Sequence, residues 1–283
     1  MRLERLSDAA QFYERVQAYL LRYEAHHNLL LGILGGLKRQ AQPDVYLSLV
    51  EVGGDIGAVA VRTPPHNLVL SLAQPNFAAD GWTMLARDIY AVYGALPGVL
   101  GPVKEAAAFA ECWRAEVGQP YDLKMQQRIY ALRTVQPISG VSGSLRRASA
   151  RDRLLLIDWL AAFGEEALDR SERREAERLA DSFLSGSRPA LYLWEDDEVV
   201  SMAGCSGPTP HGIRVVAVYT PPEHRKRGYA SACTAALSQK LLNEGYSFCF
   251  LFTDRANSTS NHIYQVIGYE RVCDVDEYRF IRL

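Results

Sequence analysis

The chain has 283 residues, 48% hydrophobic and 23% charged, with a formal net charge of −2, the profile of a globular protein with room for one large domain or two ordinary ones. That balance excludes the broad basic surface of a general nucleic-acid binder. The richest apolar run, Asn28 to Leu37, is short and holds three glycines, and Met1-Arg2-Leu3-Glu4-Arg5 is too charged to open a secretory signal, so a cytoplasmic protein with no membrane partner is expected.

Asp8 followed by Gln11 forms a helix-start pair, and Leu6, Ala9, Tyr13, Val16 and Leu20 make one helical face. A second helix is expected over His27 to Lys38. The pair His26-His27 has no third ligand at helical or short-loop spacing, so it reads as a polar helix junction rather than a metal site. Val45 to Val52, Ile56 to Thr63 and Leu68 to Ala73 are β-prone runs parted by Gly53-Gly54-Asp55 and Pro64-Pro65-His66-Asn67, which predicts an antiparallel meander. Phe77 to Ala95 reads as a helix, Gly98-Val99-Leu100 as a short apolar run, and Pro102 to Val117 as a helix with proline near its start. Lys124 to Val135 reads as a strand bridging two halves, followed by a Ser/Gly/Pro loop from Gln136 to Ser144. A boundary near residue 130 divides the chain into 1–130 and 131–283.

In the second half, Ser149 with Asp152 makes a capping-box-like start ahead of an apolar segment, Leu154 to Phe163, and Glu175 to Leu184 gives a further helix. Ala190 to Trp194, Val199 to Cys205 and Ile213 to Thr220 form another meander. Its corners are Glu195-Asp196-Asp197-Glu198, read as a solvated hairpin tip, and Pro208-Thr209-Pro210-His211-Gly212. A helix over Ala230 to Asn243, a strand over Phe248 to Thr253 and a short helix from Asn257 to Ile267 follow. Each half thus reads helix, helix, three strands, helix, strand, helix, strand, a repeat of pattern rather than of sequence. The fold class expected is α/β of the α+β type, each half a mixed, mostly antiparallel twisted sheet flanked by helices. Five cysteines (Cys112, Cys205, Cys233, Cys249, Cys273) lack the spacing of a zinc or redox motif and read as reduced packed thiols, and no metal is expected.

The most informative stretch runs from Val215 to Ala230. An apolar strand ends at Pro221-Pro222, then His224-Arg225-Lys226-Arg227-Gly228 leads into a helix carried by Ala230, Cys233, Thr234, Leu237 and Leu241. The first N–H groups of a helix lack partners inside it and carry the positive end of its dipole, so they attract an anion. Gly228 lets backbone approach that anion, and Arg225, Lys226 and Arg227 add charge beside it, suited to a diphosphate or a phosphorylated ribose. The corresponding segment of the first half, Ala73-Gln74-Pro75-Asn76-Phe77-Ala78-Ala79-Asp80, has no basic residue.

The spacing Arg225-x-x-Gly228-x-Ala230 resembles the acyl-CoA pyrophosphate motif of the GNAT superfamily of N-acetyltransferases, Gln/Arg-x-x-Gly-x-Gly/Ala. Downstream, Asn257, Ser260, Tyr264, Gly268 and Tyr269 resemble the family's Asn-x-x-(Ser/Ala)-x-x-x-Tyr-x-x-x-Gly-(Phe/Tyr). The two motifs stand in family order, one helix and one strand apart, over about residues 135–283. The resemblance implies tandem GNAT-like domains, the first degenerate and lacking the pyrophosphate loop.

It further implies an acetyl-CoA-dependent N-acetyltransferase acting on a primary amine of a small molecule, amino acid or peptide terminus. Backbone of Val216, Ala217, Val218, Tyr219 and Thr220 would meet the pantetheine arm between the strands Ile213 to Thr220 and Phe248 to Thr253. Arg225, Lys226, Arg227, Gly228, Tyr229, Ala230 and Ser231 would hold the pyrophosphate, with Asn257, Ser260 and Tyr264 on a helix beside it. Tyr264 would protonate the leaving thiolate. His211, Tyr219 and Glu223 are the titratable residues nearest the motif strand, and none is assigned as base. The alternative is a non-catalytic acyl-CoA-binding sensor or regulatory module. Gly140-Val141-Ser142-Gly143-Ser144 lacks the closing glycine of a nucleophile elbow, and no Gly-x-x-x-x-Gly-Lys-Ser/Thr loop is present.

Overall fold

The computed structural model describes residues 1–168, 172–186 and 190–281. By contact density the chain divides into two compact units. Unit 1 holds residues 1–129 together with the C-terminal segment from Val272, and unit 2 holds residues 130–271.

In unit 1 the expected meander is β2 (Tyr46–Val52), β3 (Asp55–Arg62) and β4 (Leu68–Leu70), paired antiparallel in sequence order. The side chains of β3 alternate between two cores. Ala58 and Ala60 face α3 (Ala79–Tyr93) and α4 (Val103–Val117), through Trp82, Leu85, Phe109 and Trp113. Val59 and Val61 face α1 (Ala9–Leu21) and α2 (Asn28–Arg39), through Phe12, Val16, Leu31 and Leu34. Helices on both faces are why these strands read as nearly unbroken apolar runs. Strand β5 (Gly98–Pro102) lies parallel to β4. It also pairs antiparallel with the last strand, β12 (Glu270–Phe280), from Val275↔Pro102 to Arg279↔Gly98. Strand β6 (Tyr121–Leu132) follows α4, and Arg128–Asp274 and Lys124–Glu277 ion pairs tie it to β12.

Two expectations near the N-terminus are resolved here. Leu6 does not belong to a helical face but ends a strand, β1 (Arg2–Leu6), antiparallel to β2. The helix then starts where Asp8 predicts, its carboxylate accepting from the N–H groups of Ala10 and Gln11 at 2.8 and 2.9 Å. His27 is buried, with Nδ1 2.8 Å from the Leu20 carbonyl and Nε2 accepting from Leu72 N–H at 3.1 Å. Burial pulls its pKa down to about 4, so this ring is a neutral structural link between α1, α2 and the segment after β4.

Unit 2 repeats the order: β7 (Ser144–Arg147), α5 (Arg153–Leu168), α6 (Arg173–Leu184), β8 (Ala190–Asp196), β9 (Glu198–Ser206), β10 (Gly212–Tyr219), α7 (Tyr229–Asn243), β11 (Phe248–Asp254) and α8 (Ser258–Ile267). Strand β7, inside and beyond the end of the expected loop, pairs antiparallel with β8, and β8, β9 and β10 form the meander. No helix among the described residues is long and apolar enough to cross a membrane.

Asp152 anchors the start of α5. Its carboxylate accepts two bonds from Arg146, at 2.8 and 2.9 Å, and further bonds from the Ser149 N–H and hydroxyl. The Arg146 guanidinium, above all, holds its pKa down at about 2, and the side chain is only 6% exposed. Because the folded pKa lies below the unfolded value near 4, this stabilisation is complete above about pH 5 and is lost as pH falls toward 2. Asp152→Asn is therefore expected to cost about 2 kcal/mol at pH 7 and to flatten the acid limb of the stability profile, measured by urea unfolding between pH 3 and 7.

Candidate active site

The site lies within unit 2, where β10 and β11 part. Their parallel pairing extends from Gly212↔Phe248 to Arg214↔Phe250. Beyond it, the register of β10 against β9 shifts between Val216 and Tyr219, and Ala217 has a left-handed φ of 52°. This is a β-bulge, with one residue pushed out of the ladder. Ile213 and Val215 point toward the core under α7 and α8, while Val216 and then Ala217 both pack on the α5/α6 side. Val218 returns to the first core and Tyr219 to the second. Val216, Ala217 and Val218 are half-buried, Tyr219 and Thr220 buried.

After Thr220 a 3-10 turn, Pro222–His224, leads to the basic loop. Arg225, Lys226, Arg227 and Gly228 are exposed. Lys226 has φ 64° and Gly228 φ 82°, so the loop makes two left-handed turns before α7, the first on a residue that pays for the conformation in strain. At Gly228 a Cβ would also come within 2.8 Å of Val141 Cγ2. Gly228 is the N-cap of α7, and no side chain caps that helix; its carbonyl accepts from Ala232 N–H at 3.0 Å. The N–H groups of Tyr229, Ala230 and Ser231 thus open the helix without partners in its ladder. An anion fits that cradle.

The acidic hairpin tip is not simply solvated. Asp196 accepts from the hydroxyls of Tyr229 and Ser142, at 2.5 and 2.8 Å, and those two bonds hold its pKa below the usual range. Glu195 pairs with Arg146, and Glu198 lies 3.7 Å from His224. The hairpin therefore braces the first residue of α7 and the turn before the basic loop.

On the far side of the splay, Asn257 is exposed and caps α8, its side chain accepting from Ser260 N–H at 2.9 Å. It therefore stands at the helix start, one turn before Asn261. Asn261 donates to the carbonyls of Asp254 and Asn257 and accepts from the Tyr130 hydroxyl at 3.0 Å, tying the end of β11 to the first turn of α8. Ser260 is half-buried.

Tyr264 is 7% exposed, in the same cluster as Val218 and Tyr229, with ring contacts to Tyr130 and Tyr269. Burial raises its pKa to about 12, so the phenol carries its proton at any physiological pH. Burial also raises the thiols of Cys205, Cys233 and Cys249, to about 11, 12 and 12, which leaves them protonated and poor nucleophiles.

Of the residues considered as base, His211 lies at the opposite end of β10, beside Ser247, seven residues from Val218 and so roughly 20 Å away along a strand. Glu223 is exposed in the 3-10 turn, and Tyr219 is buried against Trp159. A residue the sequence did not single out is Glu166, at the end of α5, whose carboxylate meets Arg225 at 2.7 and 2.9 Å. Its signal was available only as the spacing Trp159, Phe163, Glu166 on one face of α5.

In unit 1 the counterpart of the basic loop is filled by its own side chains. The Phe77 ring lies where a Cβ on Gly57 or Gly81 would come within 2.7 or 2.4 Å of it, and Ala73 N–H donates to Glu105. Phe77 stands two residues before α3, the place Arg227 has before α7.

Residues 153–269 match the acetyltransferase (GNAT) family. Several solved structures share the fold over the whole chain. A Drosophila protein superposes with a TM-score of 0.69 at 14% identity, over 99% of this chain and 98% of its own. A GCN5-related N-acetyltransferase from Sphaerobacter thermophilus gives 0.64 at 15%, over 100% and 96%. A tandem GNAT protein from the clavulanic acid biosynthesis pathway gives 0.60 at 13%, over 99% and 98%. Comparison with curated proteins returns no match. With its left-handed bulge, uncapped basic helix start and buried tyrosine, the matched segment is a domain of the acetyltransferase (GNAT) family, and the chain is an acyltransferase.

Proposed function

We propose that unit 2 transfers an acetyl group from acetyl-CoA to a primary amine by direct attack. The observation that carries this reading is the end of β10–β11 pairing at Arg214, followed by the Ala217 bulge and then by an uncapped, basic helix start. Bound acetyl-CoA would supply the activated acyl carbon. Strand groups of Val216, Val218 and Thr220, beyond the end of the β10–β11 pairing, are the backbone partners for its pantetheine amides. The N–H groups of Tyr229, Ala230 and Ser231, with Lys226 and Arg227, are the partners for its diphosphate. Asn257 and Ser260 border the same splay from the start of α8.

The N–H near Val218 serves the acyl oxygen as negative charge builds on it. Tyr264 holds a proton at Oη and gives it to the departing sulfur. A phenol at about 12 is a weak acid for that task in water, but burial raises a thiolate as well, which narrows the gap between donor and acceptor. With no base assigned, the amine loses its proton to water.

Binding and turnover both test the reading. Isothermal titration with acetyl-CoA is expected to give one site per chain, because Phe77 occupies the loop position in unit 1; two sites would refute that. Changing Lys226 and Arg227 together to Ala is expected to weaken binding about tenfold and to lower its salt dependence. No binding to the folded wild type at millimolar coenzyme would sink the assignment. Release of free thiol is expected with some member of a panel of primary amines, and binding without release for any of them would leave only a coenzyme-binding module. In the enzyme, Tyr264→Phe is expected to lower kcat about 100-fold with coenzyme affinity unchanged. Since the folded pKa is about 12, the wild-type rate should show no basic-limb loss from this group up to about pH 10.

A further inference from the structure

Arg225 opens the loop assigned above to the diphosphate, yet its guanidinium is engaged elsewhere. Nε donates to the Thr220 carbonyl at 2.9 Å, and Nη2 meets both oxygens of Glu166 at 2.7 and 2.9 Å. The group lies 5.8 Å from the Tyr219 ring centroid, and that ring packs in turn against Trp159 at 6.1 Å.

Three pieces of unit 2 meet at this one side chain: the end of β10, the C-terminal turn of α5 and the start of the basic loop. Glu166 is itself out of place by helix electrostatics. It stands in the last turn of α5, where the dipole disfavours a carboxylate, and a cation set against it offsets that cost. Both partners are nearly half-exposed, at 42% and 47%, so the pair contributes little to stability. What it fixes is geometry, because a planar guanidinium spanning a carbonyl and a carboxylate has one pose where an ammonium has many.

We propose that Arg225 is a positioning residue and not a ligand of the coenzyme's diphosphate. Through Thr220 and Glu166 it sets the angle at which the loop leaves β10, and Lys226, Arg227 and the first N–H groups of α7 meet the anion. The proposal rests on the coenzyme reading of unit 2 and adds to it a residue, Glu166, from outside both sequence motifs.

The two roles for Arg225 predict opposite signs for one substitution. If Arg225 serves the anion, Glu166→Gln releases it and raises the local charge by one, so coenzyme A binds a few-fold more tightly at low salt. If Arg225 positions the loop, the same change weakens binding, by about threefold to tenfold, despite the added positive charge.

The experiment is isothermal titration of the full chain with coenzyme A at about 50 and 200 mM salt, for wild type, Glu166→Gln, Arg225→Lys and the double variant. Arg225→Lys keeps the charge and loses the fork, so a loss similar to that of Glu166→Gln is expected, and no further loss in the double variant. Binding by Glu166→Gln that is equal to or tighter than wild type overturns the proposal. So does wild-type affinity in Arg225→Lys, which also decides the matter should Glu166→Gln fail to fold. A folded wild type that binds no coenzyme A overturns instead the coenzyme reading itself.

Discussion

The interruption of strand alternation at Ala217 is the constraint on which the rest of unit 2 depends. A regular strand through Tyr219 would send residues 213, 215, 217 and 219 to one face and continue its ladder to the end. With Ala217 left-handed, Val216 and Ala217 fall on the same side, Val218 takes the place of a residue one position earlier, and Tyr219 turns to the α5 side. The ladder to β11 stops at Arg214, and beyond it β10 runs on paired to β9 alone, through Val215, Val216 and Tyr219. The reorientation of Tyr219 also brings it against Trp159 and beneath Arg225, so the same bulge that opens the strands seats the loop that follows.

The charges around that loop follow one logic. A carboxylate next to a basic loop offsets its charge unless something else uses it. Here Asp196 holds the hydroxyls of Tyr229 and Ser142, Glu198 lies against His224, and Glu166 holds Arg225. Each acid braces a residue in or beside the loop. The low pKa of Asp196 has the same origin, since hydroxyls donated by Tyr229 and Ser142 favour its charged form. The acids set the shape of the cradle, and the positive character left at its centre comes from Lys226, Arg227 and the uncapped turn of α7.

Much of this was readable in the residues. Turn dipeptides and apolar runs placed the helices and meanders of both units within a few residues, because both faces of each sheet are covered and the strands are apolar throughout. The edge strands β1 and β7 were not readable. Arg2, Glu4 and Arg5 in one, and Arg146 and Arg147 in the other, put charge on short strands, as sheet edges commonly do, and so erase the apolar signal. Gly228 announced its turn by residue type, whereas the bulge did not, since Ala217 sits in a run of five residues that all suit an ordinary strand. The partners of the loop were beyond reach for another reason. Arg225 and Glu166 are 59 residues apart, Tyr229 and Asp196 are 33 apart, and no periodicity links such pairs.

The two units show how little of the architecture is specific to the chemistry. Both have the same order of elements, with helices on both faces of the sheet and a helix beginning after the third strand of a meander. Among the described residues, unit 1 has no left-handed residue in β4, and the approach to its helix is packed by Phe77 over Gly57 and Gly81. Unit 2 has an exposed Arg227 at the corresponding position and leaves the approach to α7 open to solvent. A ring that finds apolar neighbours folds inward and closes the space; a guanidinium, too costly to bury without a partner, stays outward and keeps it open. Whether this place in the fold is filled or open thus follows from whether the residue two before the helix can be buried.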